Sequence, residues 1–197
     1  MLTSPRAKFS AAVAFQSADG VRIDQAMSFM SALYFRGKIA YAERFAQPGP
    51  SIEGTGIFII TPGYGLVPPD WRIDSERFKR LRKVPIDIKS RSYRKPLVDN
   101  AQTLAGQLSP SALVILLGSV ATGKYVDLLW PLFGARLRFP RRFAGIGDMS
   151  RGAMMLRSAA SGEELEYVTL DVDRHRPKGT RERDESGLNP NPGSNEN

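Results

Sequence analysis

The stretch Ile57-Phe-Ile-Ile-Thr-Pro-Gly-Tyr-Gly-Leu-Val-Pro-Pro-Asp-Trp-Arg-Ile-Asp74 carries the strongest structural signals in the chain. It opens with a continuous apolar run rich in β-branched and aromatic side chains, which predicts a strand buried on both faces. Pro62 ends this strand, because proline has no N–H to give to a sheet. Gly63 and Gly65 bracket Tyr64, so the backbone there can adopt positive φ and approach a ligand or another segment closely.

This position also predicts where a ligand binds. In open α/β sheets, ligands bind just beyond the carboxyl ends of the strands. We therefore expect the functional crevice between Thr61 and Trp71. Tyr64 and Trp71 are the aromatic side chains on which a base could stack there.

Strand and helix patterns alternate on both sides of this stretch. Further strands are predicted at Ala11–Phe15, Leu113–Leu117, Arg136–Phe139 as a short edge strand, and Glu166–Val172 as an antiparallel or edge strand. Helices are predicted at 24–45, 76–83 with Ser75 as its cap, 97–108, 125–130 and 153–157, with an irregular connection between Pro85 and Pro96. This alternation predicts an α/β fold: a three-layer domain with a mostly parallel central sheet. We expect one α/β domain over residues 1–173 and a disordered polar tail over 174–197.

The composition narrows the possible chemistry. The chain has 197 residues, of which 42% are apolar, enough for the core of one domain. It has no cysteine, and its only histidine, His175, lies in the polar tail. A serine–histidine–aspartate triad, a histidine base and a zinc site with histidine or cysteine ligands are therefore not expected. We expect no metal and no cofactor, and any acid–base work falls to carboxylates, Lys or Tyr.

The sequence also predicts where in the cell the protein is found. No apolar segment approaches the roughly 18 residues of a membrane span, and the N-terminus lacks the pattern of a signal peptide. We expect a cytoplasmic protein that does not engage a membrane.

Most of the net charge of +8 is concentrated in one region. Between Trp71 and Pro96, ten Lys or Arg residues stand against three Asp or Glu, and Phe78 and Tyr93 are interleaved with them. Such a pattern is typical of a surface that contacts phosphates and bases, although a solvated face of a basic protein has the same composition. The residues predicted to bind nucleic acid are Arg77, Arg80, Arg82, Lys83, Arg91 and Arg94.

Gly118-Ser-Val-Ala-Thr-Gly-Lys124 follows a predicted strand, precedes a helix and matches the phosphate-loop pattern GxxxxGK. Tyr125 occupies the position of the hydroxyl that would bind Mg²⁺, and a phenol cannot replace it there. Three interpretations stay open: a degenerate nucleotide loop, a site for one phosphate or carboxylate that uses Ser119, Thr122 and Lys124, and an ordinary turn.

A second glycine-rich turn, Gly145-Ile-Gly-Asp-Met-Ser-Arg-Gly152, contains Asp148, Ser150 and Arg151. Asp148 or Ser150 could simply cap the following helix. Alternatively the turn is a ligand clamp in which Ser150 and Arg151 contact an anion. Asp148 is then the candidate general base.

Several short motifs resemble, in order, a bacterial and phage family of unknown function related to the YaaA-like proteins and, more distantly, to uracil-DNA-glycosylase-like folds. They are Leu33-Tyr34, Phe35-Arg-Gly-Lys-Ile-Ala-Tyr-Ala-Glu43, Gly65-Leu-Val-Pro-Pro-Asp70, Leu113–Leu117 with Tyr125, and Gly145-Ile-Gly147. The resemblance implies a three-layer α/β domain that associates with nucleobases or DNA. The glycosylase-type histidine has no counterpart here, and only Tyr64 remains of the Lys-His or Lys-Tyr pair found in relatives.

Together these patterns predict a protein that binds nucleic acid or a nucleotide. If it catalyses a reaction, the resemblance favours cleavage or transfer at a nucleobase N-glycosidic bond, with Asp148 as the base. The alternatives are a non-enzymatic interaction protein of a mobile or defence-related locus, whose basic face meets an acidic partner, and the degenerate phosphate-loop nucleotide binder.

Overall fold

The computed structural model describes residues 15, 17, 19–120 and 122–169. The predicted strand at 11–15, apart from Phe15, and the predicted tail at 174–197 lie outside the described residues.

Helices and short strands alternate along the described chain. The strands are β1 (Val21–Arg22), β2 (Ile59–Thr61), β3 (Gly65–Val67), β4 (Arg72–Ile73), β5 (Val114–Ile115), β6 (Leu137–Pro140) and β7 (Tyr167–Thr169). The α-helices are α1 (Ile23–Met30), α2 (Ala32–Phe45), α3 (Ser75–Lys83), α4 (Arg91–Gln107), α5 (Val126–Phe133) and α6 (Asp148–Ser161). Single 3₁₀ turns, Gly134–Arg136 and Arg141–Phe143, flank β6. The chain is therefore a mixed α and β protein.

The described strands form three small sheets. β1 pairs with β4 and β2 with β3, both antiparallel. In the third sheet, of order β5-β6-β7, β5 and β6 are parallel and β7 is antiparallel to β6. The prediction of an antiparallel or edge strand near residue 167 is thus confirmed. The prediction that Arg136–Phe139 is an edge strand is wrong, because β6 forms hydrogen bonds on both of its sides.

The glycine-bracketed segment after Ile57 forms a hairpin. β2 ends at Thr61, as predicted, and β3 returns antiparallel beside it. Gly63 and Gly65 have φ of 82° and 73°, which confirms the predicted positive φ. Gly65 approaches the main-chain carbonyl of Pro96 in α4, so the close neighbour is another segment of the chain. Ile59 is buried in one apolar cluster and the partly buried Ile60 packs on another, so β2 is covered on both faces as predicted, whereas Phe58, just before the strand, is exposed.

Several predicted helix boundaries are also wrong. The helix predicted at 24–45 is interrupted at Ser31, where φ is −105° and ψ is 13°. Serine competes with helical hydrogen bonding through its own hydroxyl, which favours such a break. Pro96 lies inside α4, where it costs one hydrogen bond, and the buried Tyr93 and Leu97 on either side keep the helix in place. α6 begins at Asp148, so five of the eight residues of the predicted glycine-rich turn are helical.

Among the described residues, three apolar clusters form the core. The first contains Phe15, Val21, Ile23, Ala26, Ile59, Val67 and Ile73. The second contains Tyr93, Leu97, Ala101, Leu116, Val126, Leu129, Phe133 and Leu137. The third contains Tyr41, Phe143 and Met155 and joins α2 to α6. Among the residues described, no helix combines the length and the apolar character that crossing a bilayer requires.

The contact between α2 and α6 is made backbone to backbone. A Cβ atom on Gly37 would lie 2.6 Å from the carbonyl oxygen of Gly152, and one on Gly152 would lie 2.8 Å from the Cα of Tyr34. Only glycine allows such an approach. This contact brings the side chains of α2 that flank Gly37 next to the first turn of α6.

Candidate functional site

α3 presents a basic surface that is held against the core by its apolar side. Phe78 and Leu81 pack on the first apolar cluster, and the Phe78 ring meets Phe15 edge-on with 5.5 Å between centroids. Asp74, not Ser75, caps the helix: its Oδ1 accepts the backbone N–H of Arg77 at 2.8 Å. Ser75 is the first residue of the helix itself, and the charge of Asp74 at the cap position also favours the helix N-terminus.

The cations of α3 all point away from the core. Its exposed basic side chains are Arg77, Lys79, Arg80, Arg82 and Lys83, which we call the α3 surface. Lys79 pairs with Glu76 at 2.6 Å, and Arg77 lies 3.9 Å from Asp74. Within the described part of the chain, Arg80, Arg82 and Lys83 form no ion pair. Three exposed cations on one short helix are therefore available to a ligand.

The two predicted stacking residues lie beside this surface and touch each other. The ring centroids of Tyr64 and Trp71 are 5.0 Å apart at a tilt of 51°. The guanidinium of Arg80 lies 5.0 Å from the Tyr64 ring, and that of Arg77 lies 5.4 Å from the Trp71 ring. The structure thus brings together four residues that the sequence assigned to base and phosphate contact.

The other residues predicted to bind nucleic acid lie on a different helix. Arg91 and Arg94 belong to the first turn of α4 and are exposed. The Nη1 of Arg94 donates to the carbonyl of Ile88 at 3.4 Å, a contact within the same turn of chain.

A second group of polar side chains lies just beyond the carboxyl ends of the parallel strands β5 and β6. We call it the Lys38 cluster, and it consists of Tyr34, Lys38, Tyr125, Asp148 and Arg151. The hydroxyl of Tyr34 donates to the carbonyl of Leu117, two residues after β5, at 3.4 Å. Arg151 donates from Nε and Nη2 to the carbonyl of Phe143, three residues after β6, at 3.1 and 2.8 Å.

Arg151 and Asp148 occupy the first turn of α6. Nη1 of Arg151 lies 3.3 Å from Oδ1 of Asp148. The Asp148 side chain is 66% exposed, whereas that of Arg151 is only 13% exposed. Arg151 therefore anchors the chain that follows β6, and Asp148 presents its carboxylate to solvent. Ser150 is exposed on the same helical turn.

Lys38 is the most perturbed cation in the cluster. Its Nζ lies 3.9 Å from the centroid of the Tyr34 ring, one helical turn earlier in α2. Burial lowers the pKa of Lys38 to about 8, and the positive charge of Arg151 acts in the same direction. The carboxylate of Asp148 opposes this shift. Lys38 thus has an amine that is partly neutral under physiological conditions.

The pKa values of the two tyrosines in the cluster, Tyr34 and Tyr125, are raised, whereas that of Lys38 is lowered. Burial raises the pKa of Tyr34, and the hydrogen bond and charge of Arg151 offset part of that rise. Burial also raises the pKa of Tyr125, and the negative charge of Asp148 adds to it. Both hydroxyls therefore keep their protons at neutral pH and can act as donors.

The Gly118–Lys124 turn lies between β5 and α5, as the sequence predicts. Ser119 and Thr122 lie in this turn, and the carbonyl of Lys124 accepts the hydroxyl of Tyr93 at 3.0 Å. A Cβ on Gly123 would lie 2.6 Å from Oδ2 of Asp127, so a carboxylate already faces the turn. That negative charge disfavours a phosphate at this place. Within the described ranges, no group of three His, Asp or Glu side chains is arranged to hold a metal ion.

Asp148 and Arg151 were predicted to act in a glycine-rich turn, whereas the sequence indicated no functional role for Tyr34 and Lys38. Their spacing of four residues places both side chains on one face of a helix, which is a visible signal. It does not distinguish a functional pair from an exposed one, because burial of the pair depends on the glycine contact with α6. Tyr125 was interpreted as a departure from the phosphate loop and, with Leu113–Leu117, as one of the motifs that resemble YaaA-like proteins.

Comparisons with other proteins add no assignment: neither a family model, nor a curated protein, nor a solved structure matches this chain. The resemblance to YaaA-like proteins stays a prediction. Function is therefore inferred from the geometry of the α3 surface and of the Lys38 cluster.

Proposed function

We propose that this protein binds nucleic acid in the cytoplasm through the α3 surface. The observation that carries the proposal is the exposed trio Arg80, Arg82 and Lys83 on α3, which lacks ion-pair partners among the described residues, and of which Arg80 lies over the ring of Tyr64. Cations release the counterions condensed on nucleic acid when they contact phosphates, and this release drives association.

The aromatic pair supports a single-stranded or unpaired ligand. In the free protein, Arg77 and Arg80 lie over the rings of Trp71 and Tyr64. Phosphates that attract these guanidiniums expose ring surface, on which a base can stack. A base on an aromatic ring contributes roughly 1 to 3 kcal/mol by alanine substitution. The arginines and rings thus supply the two kinds of interaction that nonspecific binders of single strands combine.

We also propose that the chain has the detailed fold that the sequence predicts. The parallel pair β5 and β6 and the helices α4 and α5, which pack on the second apolar cluster, support the layered α/β part of this expectation, whereas the other three described strand pairs are antiparallel. Resemblance to YaaA-like proteins supports the same arrangement.

The test is a fluorescence-anisotropy titration of labelled single-stranded and duplex DNA and RNA at several salt concentrations. We expect salt-sensitive binding by the wild type. In the triple variant Arg80→Ala, Arg82→Ala, Lys83→Ala, the slope of log K against log salt should become shallower by about one for each phosphate that the variant no longer neutralises.

A matched control removes the same charge elsewhere. Arg36, Arg142 and Arg157 are exposed and lie on α2, on the 3₁₀ turn after β6 and on α6. Their triple alanine variant should bind nearly as the wild type does. An equal decrease in affinity for both variants would indicate a general charge effect, and no binding at low salt would refute the proposal. Equal binding of an acidic polypeptide would assign the surface to an acidic protein partner.

A further inference from the structure

The Lys38 amine occupies an unusual setting for a lysine. It lies on the face of the Tyr34 ring, 3.9 Å from its centroid, and is partly buried between α2 and α6. Within the described part of the chain, no carboxylate forms an ion pair with it, since Asp148 is bound to Arg151. Lysine usually keeps its ammonium in water or pairs it with an acid. Here the charged form has lost much of its water without gaining a close anion.

This setting changes the amine chemically. With a pKa of about 8 instead of 10.5, the neutral fraction at pH 7 rises from roughly one in three thousand to roughly one in ten. The neutral amine has a free electron pair, and a lysine desolvated near a second cation is a known route to a nucleophile. Arg151 is that second cation.

We propose that Lys38 is a nucleophile that condenses with the carbonyl group of a small aldehyde or ketone to form an imine. The assignment depends on three geometric features: the position of the amine on the Tyr34 ring, the nearby Arg151 and Asp148 on α6, and the location of the cluster at the carboxyl ends of β5 and β6. It is independent of the nucleic-acid proposal, which concerns α3.

The chemistry balances without a further reactant. The electron pair of Nζ attacks the carbonyl carbon, and one proton passes from nitrogen to the carbonyl oxygen, which gives a neutral carbinolamine. The second proton passes from nitrogen to the hydroxyl group, which leaves as water as the C=N bond forms. Both proton transfers need donors and acceptors near the reacting atoms. Tyr125 holds a protonated hydroxyl in the cluster, and the Asp148 carboxylate, although it forms no ion pair with Lys38, is exposed and can exchange protons with solvent.

The experiment traps the imine on the full chain. The protein is incubated with glyoxylate and sodium cyanoborohydride across a pH series, and the modified lysines are mapped by mass spectrometry of peptides. The exposed Lys83 and Lys89 serve as internal references. We expect Lys38 to be modified at least about tenfold faster than either at pH 7, with a rate that levels off above pH 8 while theirs keeps rising.

Two variants sharpen the result. Lys38→Arg keeps the cation and must abolish the fast adduct. Asp148→Asn removes a carboxylate that favours the charged amine, so it must shift the pH midpoint of Lys38 modification below that of the wild type. Because Asp148 is exposed, this variant should fold even if Lys38→Arg does not. Modification of Lys38 no faster than of Lys83, or a midpoint near 10.5, would overturn the proposal.

Discussion

At the scale of single residues, Lys38 is a source of instability. Its folded-state pKa is lower than its unfolded value, so the charged form destabilises the native state below pH 8, and this cost is relieved between pH 8 and 10.5. The full shift corresponds to at most about 3 kcal/mol, and the contact with the Tyr34 ring offsets roughly 1 kcal/mol of it. We expect Lys38→Met to raise the free energy of unfolding by about 1 to 2 kcal/mol at pH 7. Urea denaturation at pH 7 and 9.5 measures the difference, which should shrink at the higher pH.

Lys124 provides the control for this prediction, because its Nζ also lies near a tyrosine ring, 5.7 Å from the centroid of Tyr125. Lys124→Met should not reproduce the pH-dependent gain. If Lys38→Met and Lys124→Met change stability alike at both pH values, the effect is due to general charge and not to the burial of Lys38.

At the scale of helices, the Gly37 and Gly152 contact sets how closely α2 and α6 approach. Alanine normally favours a helix over glycine by up to about 1 kcal/mol. Here a Cβ on Gly37 would lie 2.6 Å from the Gly152 carbonyl oxygen, and neither backbone can rotate away as a side chain could. Overpacking costs about 1 to 3 kcal/mol, so it outweighs the gain in propensity. We therefore expect Gly37→Ala to lower the free energy of unfolding by about 1 to 2 kcal/mol, measured by urea denaturation.

Gly106→Ala is the matched control, because Gly106 lies in α4 with no atom within 4 Å of its would-be Cβ. That change should stabilise the protein slightly. A stabilising Gly37→Ala would show that α2 and α6 can separate at little cost. It would also mean that the burial of Lys38, which depends on this approach, is not fixed by the glycines.

At the scale of the whole molecule, tyrosine hydroxyls link distant parts of the chain. Tyr41 and Tyr167 share a hydrogen bond of 2.6 Å between α2 and β7. Tyr34 bonds to the end of β5, and Tyr93 of α4 bonds to the carbonyl of Lys124. Burial raises the pKa of all four of these tyrosines and of Tyr125 above the ordinary value of 10.0.

A raised tyrosine pKa makes stability depend on alkaline pH with a definite sign. The stability from these groups is complete below pH 10 and decreases as the pH rises beyond it, because the native state holds protons that the unfolded chain releases. We expect cooperative alkaline unfolding in which most tyrosinate absorbance appears together with the loss of the helical circular-dichroism signal. Absorbance that rises well before helix loss would contradict this. Tyr93→Phe should lower stability by about 1 kcal/mol at pH 7 but make it fall less steeply above pH 10.

Features that depend on local backbone sterics could be predicted from the sequence, whereas features that depend on tertiary packing could not. The turn glycines Gly63 and Gly65 and the strand end at Pro62 were predictable, because backbone sterics act locally. The start of α6 was not, since Gly152 weakens the helical pattern in the sequence, and its packing on α2, more than a hundred residues earlier, is not visible there. Tyr64 and Arg80 were assigned to one site and do meet. The role of Lys38 was not predicted, because its lowered pKa arises from burial between two helices. The residues next to Lys38 in the sequence do not indicate that burial.

Trp71, which contacts Tyr64 and Arg77, is an intrinsic fluorescence probe of the α3 surface. Of the protein's two tryptophans, Trp130 packs on the second apolar cluster and Trp71 on the first, but only Trp71 has a guanidinium near its ring among the described contacts, that of Arg77 at 5.4 Å. Any anion that draws Arg77 aside changes the surroundings of one indole and leaves those of the other as they were. The emission wavelength and intensity of the protein's intrinsic tryptophan fluorescence should therefore change when a ligand occupies the α3 surface.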